Sequence, residues 1–109
     1  MTEIAYTVIA ETDSEATMRA YVEWLVGGHI RDVIKGGAKS ASLVLIDQGT
    51  DHAHRVEMRY VFGSRAEFDA YERGPAVALR AEGAALFGAE SEHPIRFQRT
   101  LGGVVAVLP

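Results

Sequence analysis

The sequence predicts an α+β fold whose elements follow the order β-α-β-β-α-β. Four segments alternate polar and apolar residues or concentrate β-branched residues, as half-buried strands do. Two segments between them begin at helix-capping residues and carry apolar residues at helical spacing. The 109 residues are enough for one domain, which we expect to span residues 1–109, with residues 101–109 as a C-terminal tail.

The first part of the chain gives a strand, a helix and a strand. Residues 4–11 are rich in β-branched and aromatic side chains and alternate with the period of a strand. Ser14 can accept hydrogen bonds from backbone N–H groups, so it predicts a helix start, and we expect this helix to end between Gly27 and His29. After a glycine turn, residues 40–47 form the second predicted strand.

The second part again gives a strand, a helix and a strand. Residues 54–62 alternate most clearly of all. Ser64 and Glu67 match a capping box, in which each side chain satisfies a backbone donor of the other residue. A further helix is expected to begin at Pro75, because proline is tolerated in a first turn. Residues 94–101 form the fourth predicted strand.

This order is the split β-α-β, or ferredoxin-like, arrangement, in which helices cover one face of a four-stranded antiparallel sheet. The other face mixes polar and apolar side chains, which suits contact with a second sheet. The tail from Gly102 to Pro109 is apolar and would be an exposed patch in water, so we expect it to pack on a partner subunit. A homodimer is therefore the expected assembly.

Composition narrows the classes of function. The net charge of −4 argues against a nucleic-acid partner, because phosphate binding needs a clustered basic surface. The chain has no cysteine, which excludes disulfides, thiolate nucleophiles and cysteine-bound metals. The N-terminus lacks a secretory signal pattern and no segment is long enough to span a membrane, so we expect a cytoplasmic protein with no membrane partner.

His29 is the main candidate for chemistry. It falls on the apolar stripe of the first helix. One interpretation is a core imidazole hydrogen-bonded to a backbone carbonyl. The other is a pocket residue that transfers protons near neutral pH, with Asp32, three residues later, fixing the tautomer.

His52 and His54 lie two residues apart without a paired carboxylate motif, so we predict no metal site.

Four aromatic residues are the candidate ligand contacts. Trp24 offers a flat apolar wall, or alternatively a contact at the pocket rim or with a partner subunit. Tyr60 belongs either to the core alone or to a pocket that its hydroxyl group reaches. Tyr6 and Phe62, on the same predicted strand faces, complete this set.

The chain also resembles a known family. The matching stretches are Tyr6 and Val8, Trp24, residues 29–33, residues 59–62, residues 79–83 with Leu86 and Phe87, and residues 96–99. On these stretches the chain resembles a family of short bacterial proteins known as a domain of unknown function, within the dimeric α+β-barrel superfamily. Members often have proline where this chain has Arg31, and they usually lack a pair such as Gly27-Gly28.

The resemblance implies a homodimer whose sheets pack face to face, with a pocket between helices and sheet in each subunit. Relatives in the superfamily include cofactor-free monooxygenases, isomerases, haem-degrading enzymes and proteins without known chemistry. The first hypothesis is a binder of a small organic ligand that acts as a cofactor-independent monooxygenase-, isomerase- or cyclase-like enzyme through His29 and Asp32. The second is a non-catalytic dimeric accessory or protein-interaction module. Haem binding through His29 is a third alternative.

Overall fold

The computed structural model describes residues 2–109, so Met1, the first residue of the N-terminal segment considered above, lies outside it. The predicted order of elements is confirmed, and each helical segment is divided in two. The elements are β1 (Ile4–Thr12), α1 (Glu15–Trp24), a π-helical segment (Leu25–His29), α2 (Ile30–Lys35), β2 (Ser40–Ile46), β3 (His54–Phe62), α3 (Arg65–Arg73), α4 (Pro75–Phe87) and β4 (Arg96–Gly103).

The four strands form one antiparallel sheet in the order β2-β3-β1-β4. Tyr6 at the centre of β1 lies opposite Tyr60 on β3 and opposite Leu101 on β4. The helices cover the face that carries these three residues. This is the predicted ferredoxin-like α+β fold. Among the strands the largest difference is in β4, which begins and ends two residues later than expected.

The helical face of the sheet supports two apolar clusters. In the first, α2 and α3 contribute Val33 and Phe68 to one cluster with Met58 and Phe62 of β3, and Phe68 packs edge-on against Phe62. The second joins α1, the π-helical segment and the end of α4 to β1, β3 and the residue before β4, through Ala10, Met18, Tyr21, Leu25, Val56, Phe87 and Ile95. The α4 helix therefore crosses the region between the two clusters.

The first helical segment does not end at the glycine pair, as predicted, but continues through a π turn into α2. Ser14 caps α1 as expected, accepting a hydrogen bond from the Thr17 N–H at 3.1 Å. In the π turn, the Ile30 N–H donates to the carbonyl of Leu25, five residues earlier. The turn keeps both Leu25 and Val33 buried, at 1% exposure each.

The second helical segment follows the prediction closely. Ser64 accepts a hydrogen bond from the Glu67 N–H at 3.2 Å, which is one of the two bonds of a capping box. Helix α4 begins at Pro75 and ends at Phe87.

Before β2, Gly37 has a φ of 135°, a backbone conformation that side chains with a Cβ rarely adopt.

Apolar residues remain exposed on the outer strand and in the tail, and the sheet face away from the helices is open as well. On the outer strand β2, Val44 and Leu45 are 47% and 69% exposed. The tail leaves the sheet at Val104, whose N–H donates to the Glu3 carbonyl, and Val105 beyond it is 99% exposed. The open sheet face is mixed, as predicted, with Arg59 exposed beside half-buried Glu57 and Val61. Among these residues, no helix is long and apolar enough to cross a membrane.

Candidate functional site

A cavity of about 240 Å³ lies between the first helical segment, α4 and the helical face of the sheet. Its walls are mostly aromatic and aliphatic, and a few polar side chains meet there. The lining residues are Tyr6, Val8, Tyr21, Trp24, Leu25, His29, Met58, Tyr60, Tyr71, Leu79, Arg80, Gly83, Ala84, Phe87, Gly88, Phe97 and Arg99. Four predicted site residues, Tyr6, Trp24, His29 and Tyr60, are therefore brought together in one cavity.

The π turn places His29 on Trp24. Their ring centroids are 4.0 Å apart and their planes differ by 21°. In an ideal α-helix, residues five apart point about 140° away from each other, whereas a π turn brings them to one side. The Trp24 Nε1–H donates to a Glu82 carboxylate oxygen at 3.0 Å, which fixes the indole against α4.

His29 is held mainly in its neutral form. Burial lowers the pKa of its imidazole below the usual 6.5, and the negative charges of Glu82 and Asp32 only partly oppose this effect. The Nδ1 atom is buried without a hydrogen-bond partner, so the predicted backbone carbonyl partner is not found. Nε2 is the ring nitrogen left for a ligand to approach.

The predicted contact between Asp32 and His29 is not found. It is exposed on α2, does not line the cavity and makes no hydrogen bond to the unpartnered Nδ1 of His29. The two residues are three apart in regular helix, a spacing that allows contact, but the His29 ring stacks on Trp24 and the Asp32 carboxylate stays exposed. Asp32 instead acts on His29 only through its charge.

The cavity contains several tyrosines in their neutral form. Tyr6 and Tyr60 stack side by side with ring centroids 6.2 Å apart. Tyr60 is 2% exposed, burial raises the pKa of its hydroxyl group, and that group has no hydrogen-bond partner. Burial also raises the pKa of Tyr21 and of Tyr71 to about 12. At neutral pH these phenols are therefore protonated and able to donate hydrogen bonds.

Two arginines meet at the hydroxyl group of Tyr6. Arg80 donates to its oxygen from Nη2 at 3.3 Å and Arg99 from Nε at 3.1 Å. Arg80 also binds Glu72 through both Nη groups, and this ion pair raises the pKa of the Arg80 guanidinium. Arg80 and Glu82 stay exposed on α4 but still make specific contacts, because Arg80 reaches Tyr6 and Glu82 accepts from Trp24.

The predicted ligand contact Phe62 does not line the cavity. It is 0% exposed and packs between Phe68 and Tyr71 in the first apolar cluster, outside the cavity. Conversely, Arg99 was not predicted as a site residue. Its signal in the sequence is a charge between Phe97 and Leu101, on the apolar face of β4.

No group of three or more His, Asp or Glu side chains suited to hold a metal ion occurs within residues 2–109. His52 and His54 lie in and after an exposed turn, where Gln48 contacts both residues. The polar groups of the cavity are hydroxyl, imidazole and guanidinium groups, which can exchange hydrogen bonds or protons with a ligand.

The fold and cavity define a ferredoxin-like α+β protein with an aromatic pocket under the helices. Neither the family models nor the curated proteins include a match to this chain. Among solved structures, a dimeric ferredoxin-like protein from an uncultured marine organism has a TM-score of 0.69 at 15% identity, over 99% of this chain and 100% of its own. A candidate antibiotic biosynthesis monooxygenase from Bacillus cereus has a TM-score of 0.70 at 15% identity, over 100% and 99%.

A monooxygenase of Streptomyces coelicolor, solved in complex with the ligand Nanaomycin D, has a TM-score of 0.63 at 21% identity, over 99% of this chain and 93% of its own. At these identities the similarity establishes the fold. The predicted resemblance to dimeric ferredoxin-like proteins, several of them without an assigned function, is confirmed at that level.

Proposed function

We propose that this protein binds a small, planar, largely apolar organic molecule in the cavity under α4. The observation that carries the proposal is an aromatic-walled cavity whose lining residues include two buried, unpartnered polar atoms, His29 Nδ1 and the Tyr60 hydroxyl. Buried polar groups without partners are rare because each costs about 1–3 kcal/mol. A functional site is a common reason for keeping them.

The size of the cavity limits the ligand. At about 240 Å³ it is smaller than the pockets that hold drug-sized ligands, which span about 300–1,000 Å³. A molecule of one or two fused rings is the expected occupant. The indole of Trp24 and the ring of Phe87, with centroids 5.3 Å apart, offer apolar walls for it.

We further propose that the protein is a cofactor-independent acid/base enzyme in which His29 moves the proton. Its lowered pKa leaves the imidazole neutral at neutral pH, ready to accept a proton at Nε2 from a bound substrate. Asp32 has no part in this step. Structural similarity to monooxygenases supports a monooxygenase-like reaction, and isomerase- and cyclase-like proton transfers use the same group.

Binding can be tested with a matched pair of variants on α4. Ala84 lines the cavity and Ala85 does not. Because Trp24 is the only tryptophan, its fluorescence reports binding directly. One- and two-ring aromatic compounds should change this fluorescence in the wild-type protein and in Ala85→Phe, but not in Ala84→Phe, whose added ring fills the cavity. Equal responses in both variants would place the binding elsewhere and refute the proposal.

A second candidate function is the dimeric accessory module, which the exposed apolar tail favours. Val105, Val107 and Leu108 are 99%, 81% and 85% exposed, more than an isolated chain usually leaves in water. We propose that a homodimer covers this tail. Native mass spectrometry of protein from its own host separates the two functions: a dimer that releases a small molecule supports the ligand-binding protein, whereas a dimer bound to another protein supports the module.

A further inference from the structure

One of the two arginines at the cavity lacks a carboxylate partner. Arg80 has its carboxylate partner in Glu72. Arg99 has none within residues 2–109, and its guanidinium is hydrogen-bonded only from Nε to the Tyr6 hydroxyl. Asp and Glu are also missing from the cavity lining formed by these residues. In a chain with a net charge of −4, this wall of the cavity therefore carries an unbalanced positive charge.

The hydroxyl group of Tyr6 can still donate one hydrogen bond. Its oxygen accepts hydrogen bonds from both arginines, which occupies the two lone pairs of a phenol oxygen. The hydroxyl proton is then free to donate to a third atom. Two cationic donors on the oxygen polarise the O–H bond, so it donates most strongly to a charged acceptor.

The same cavity has donors in excess of acceptors. The free Nη groups of Arg99, the Tyr6 hydroxyl and the unpartnered Tyr60 hydroxyl all donate. Tyr60 stays protonated because burial raises its pKa. A ligand that supplies acceptors, and above all a negatively charged oxygen, therefore complements this wall, whereas a cationic ligand does not.

We infer that the ligand is an organic acid whose anionic oxygen binds between the Arg99 guanidinium and the Tyr6 hydroxyl, with Arg99 as the residue that determines this specificity. The inference rests on the proposed binding of a small planar molecule in the cavity. A carboxylate and a phenolate or enolate present the same anionic oxygen, so the test includes both.

The test compares acids with neutral analogues of the same shape by Trp24 fluorescence at pH 8. One pair is 1-naphthoate and 1-naphthamide, and the other is the 4-nitrophenolate anion and 4-nitroanisole. We expect an anion to bind about tenfold more tightly than its neutral analogue, the size of effect that a charge-assisted hydrogen bond supplies. Arg99→Gln should remove this preference. Arg65→Gln, which removes the same charge from the exposed start of α3, should keep it.

The outcomes separate this inference from the proposed function. A preference for naphthoate alone identifies a carboxylate ligand, and a preference for nitrophenolate alone identifies a phenolate or enolate. If neutral and anionic compounds bind equally in the wild-type protein, the organic-acid inference is wrong while cavity binding stands. If no compound binds, the cavity proposal itself is wrong. If Arg99→Gln lowers the assembly mass and leaves the anion preference intact, Arg99 serves a subunit contact and not the ligand.

Discussion

At the scale of single residues, His29 is a histidine that the fold keeps neutral. Burial lowers its folded pKa below the unfolded value of about 6.5, so the unfolded chain binds its proton first as the pH falls. The stability that His29 contributes is therefore complete above pH 6.5 and is lost as the pH drops through that value towards the folded pKa. If His29 is the base proposed above, activity should fall at low pH as well, along the titration of the folded imidazole.

Replacing His29 by phenylalanine tests this linkage. Phenylalanine keeps a flat ring against Trp24 but does not titrate. We expect the melting temperature of His29→Phe to fall less than that of the wild-type protein between pH 7.5 and pH 5, as measured by circular dichroism. The other three histidines are present in both proteins, so their effects cancel in the comparison. An equal fall in both proteins would contradict a lowered His29 pKa.

Tyr60 illustrates the cost of an unpartnered hydroxyl group. Tyr60→Phe removes a buried donor that no other group satisfies, so we expect it to stabilise the free protein by about 1 kcal/mol in urea denaturation. Tyr71→Phe is the control, because its hydroxyl is not among the buried unpartnered atoms and no gain is expected. A loss of stability in Tyr60→Phe would mean that the hydroxyl has a partner in solution.

Four of the predicted site residues line the cavity, and the sequence pattern accounts for only two of them. Tyr6 and Tyr60 lie at strand positions whose alternation points inward, which the sequence shows. Trp24 and His29 meet in the cavity through the π turn, which the helical period does not show. Asp32 lies outside the cavity because helical spacing permits contact with His29 but does not fix the direction of either side chain, and the His29 ring lies on Trp24 instead. Phe62 lies outside the cavity as well. The alternation of a strand predicts the sheet face on which a side chain lies, but not where on that face a cavity opens.

At the scale of elements, the π turn aligns two helices on one core. Leu25 and Val33 are eight residues apart, which places them about 80° from each other in an ideal α-helix. The π turn absorbs one residue, which reduces the difference to about 20° and lets both side chains enter the core. Gly27 and Gly28 have open space at their Cβ positions, so the turn does not depend on close packing there. The sequence signalled a break at the glycine pair but not its hydrogen-bond pattern.

Deletion of Gly28 should convert the π turn into an ordinary α-helical turn. Trp24 and His29 then become four residues apart, a spacing that still places them on one side. We expect the indole–imidazole stack to persist and the melting temperature to stay equal or rise, because a glycine in a helix costs about 1 kcal/mol relative to alanine. Ring-current shifts of the His29 protons in NMR spectra report the stack. Deletion of Val33 is the contrasting control, because it removes a buried core residue and shifts the rest of α2 by one position, and it should unfold the protein.

At the scale of the whole molecule, the tail and the open sheet face are the surfaces that the proposed second subunit would cover. The chain is attached to the sheet as far as Val104, through its bond to the Glu3 carbonyl. We expect the full chain to have the mass of a dimer in light scattering, and a chain that ends at Val104 to melt at a lower temperature and dissociate at micromolar concentration. Removal of Pro109 alone should change neither property. A truncated chain with unchanged mass and melting temperature would show that the tail does not cover a partner.

The outer strand β2 has a consequence for the behaviour of the protein in concentrated solution. From Ser40 to Ile46 it contains neither charge nor proline, the two features with which sheet edges commonly resist aggregation. Val44 and Leu45 are exposed along it, whereas the opposite edge, β4, carries Arg96 and Arg99. Fibrillar aggregates should therefore start to grow from strand β2. The substitution Leu45→Lys should suppress this aggregation during storage.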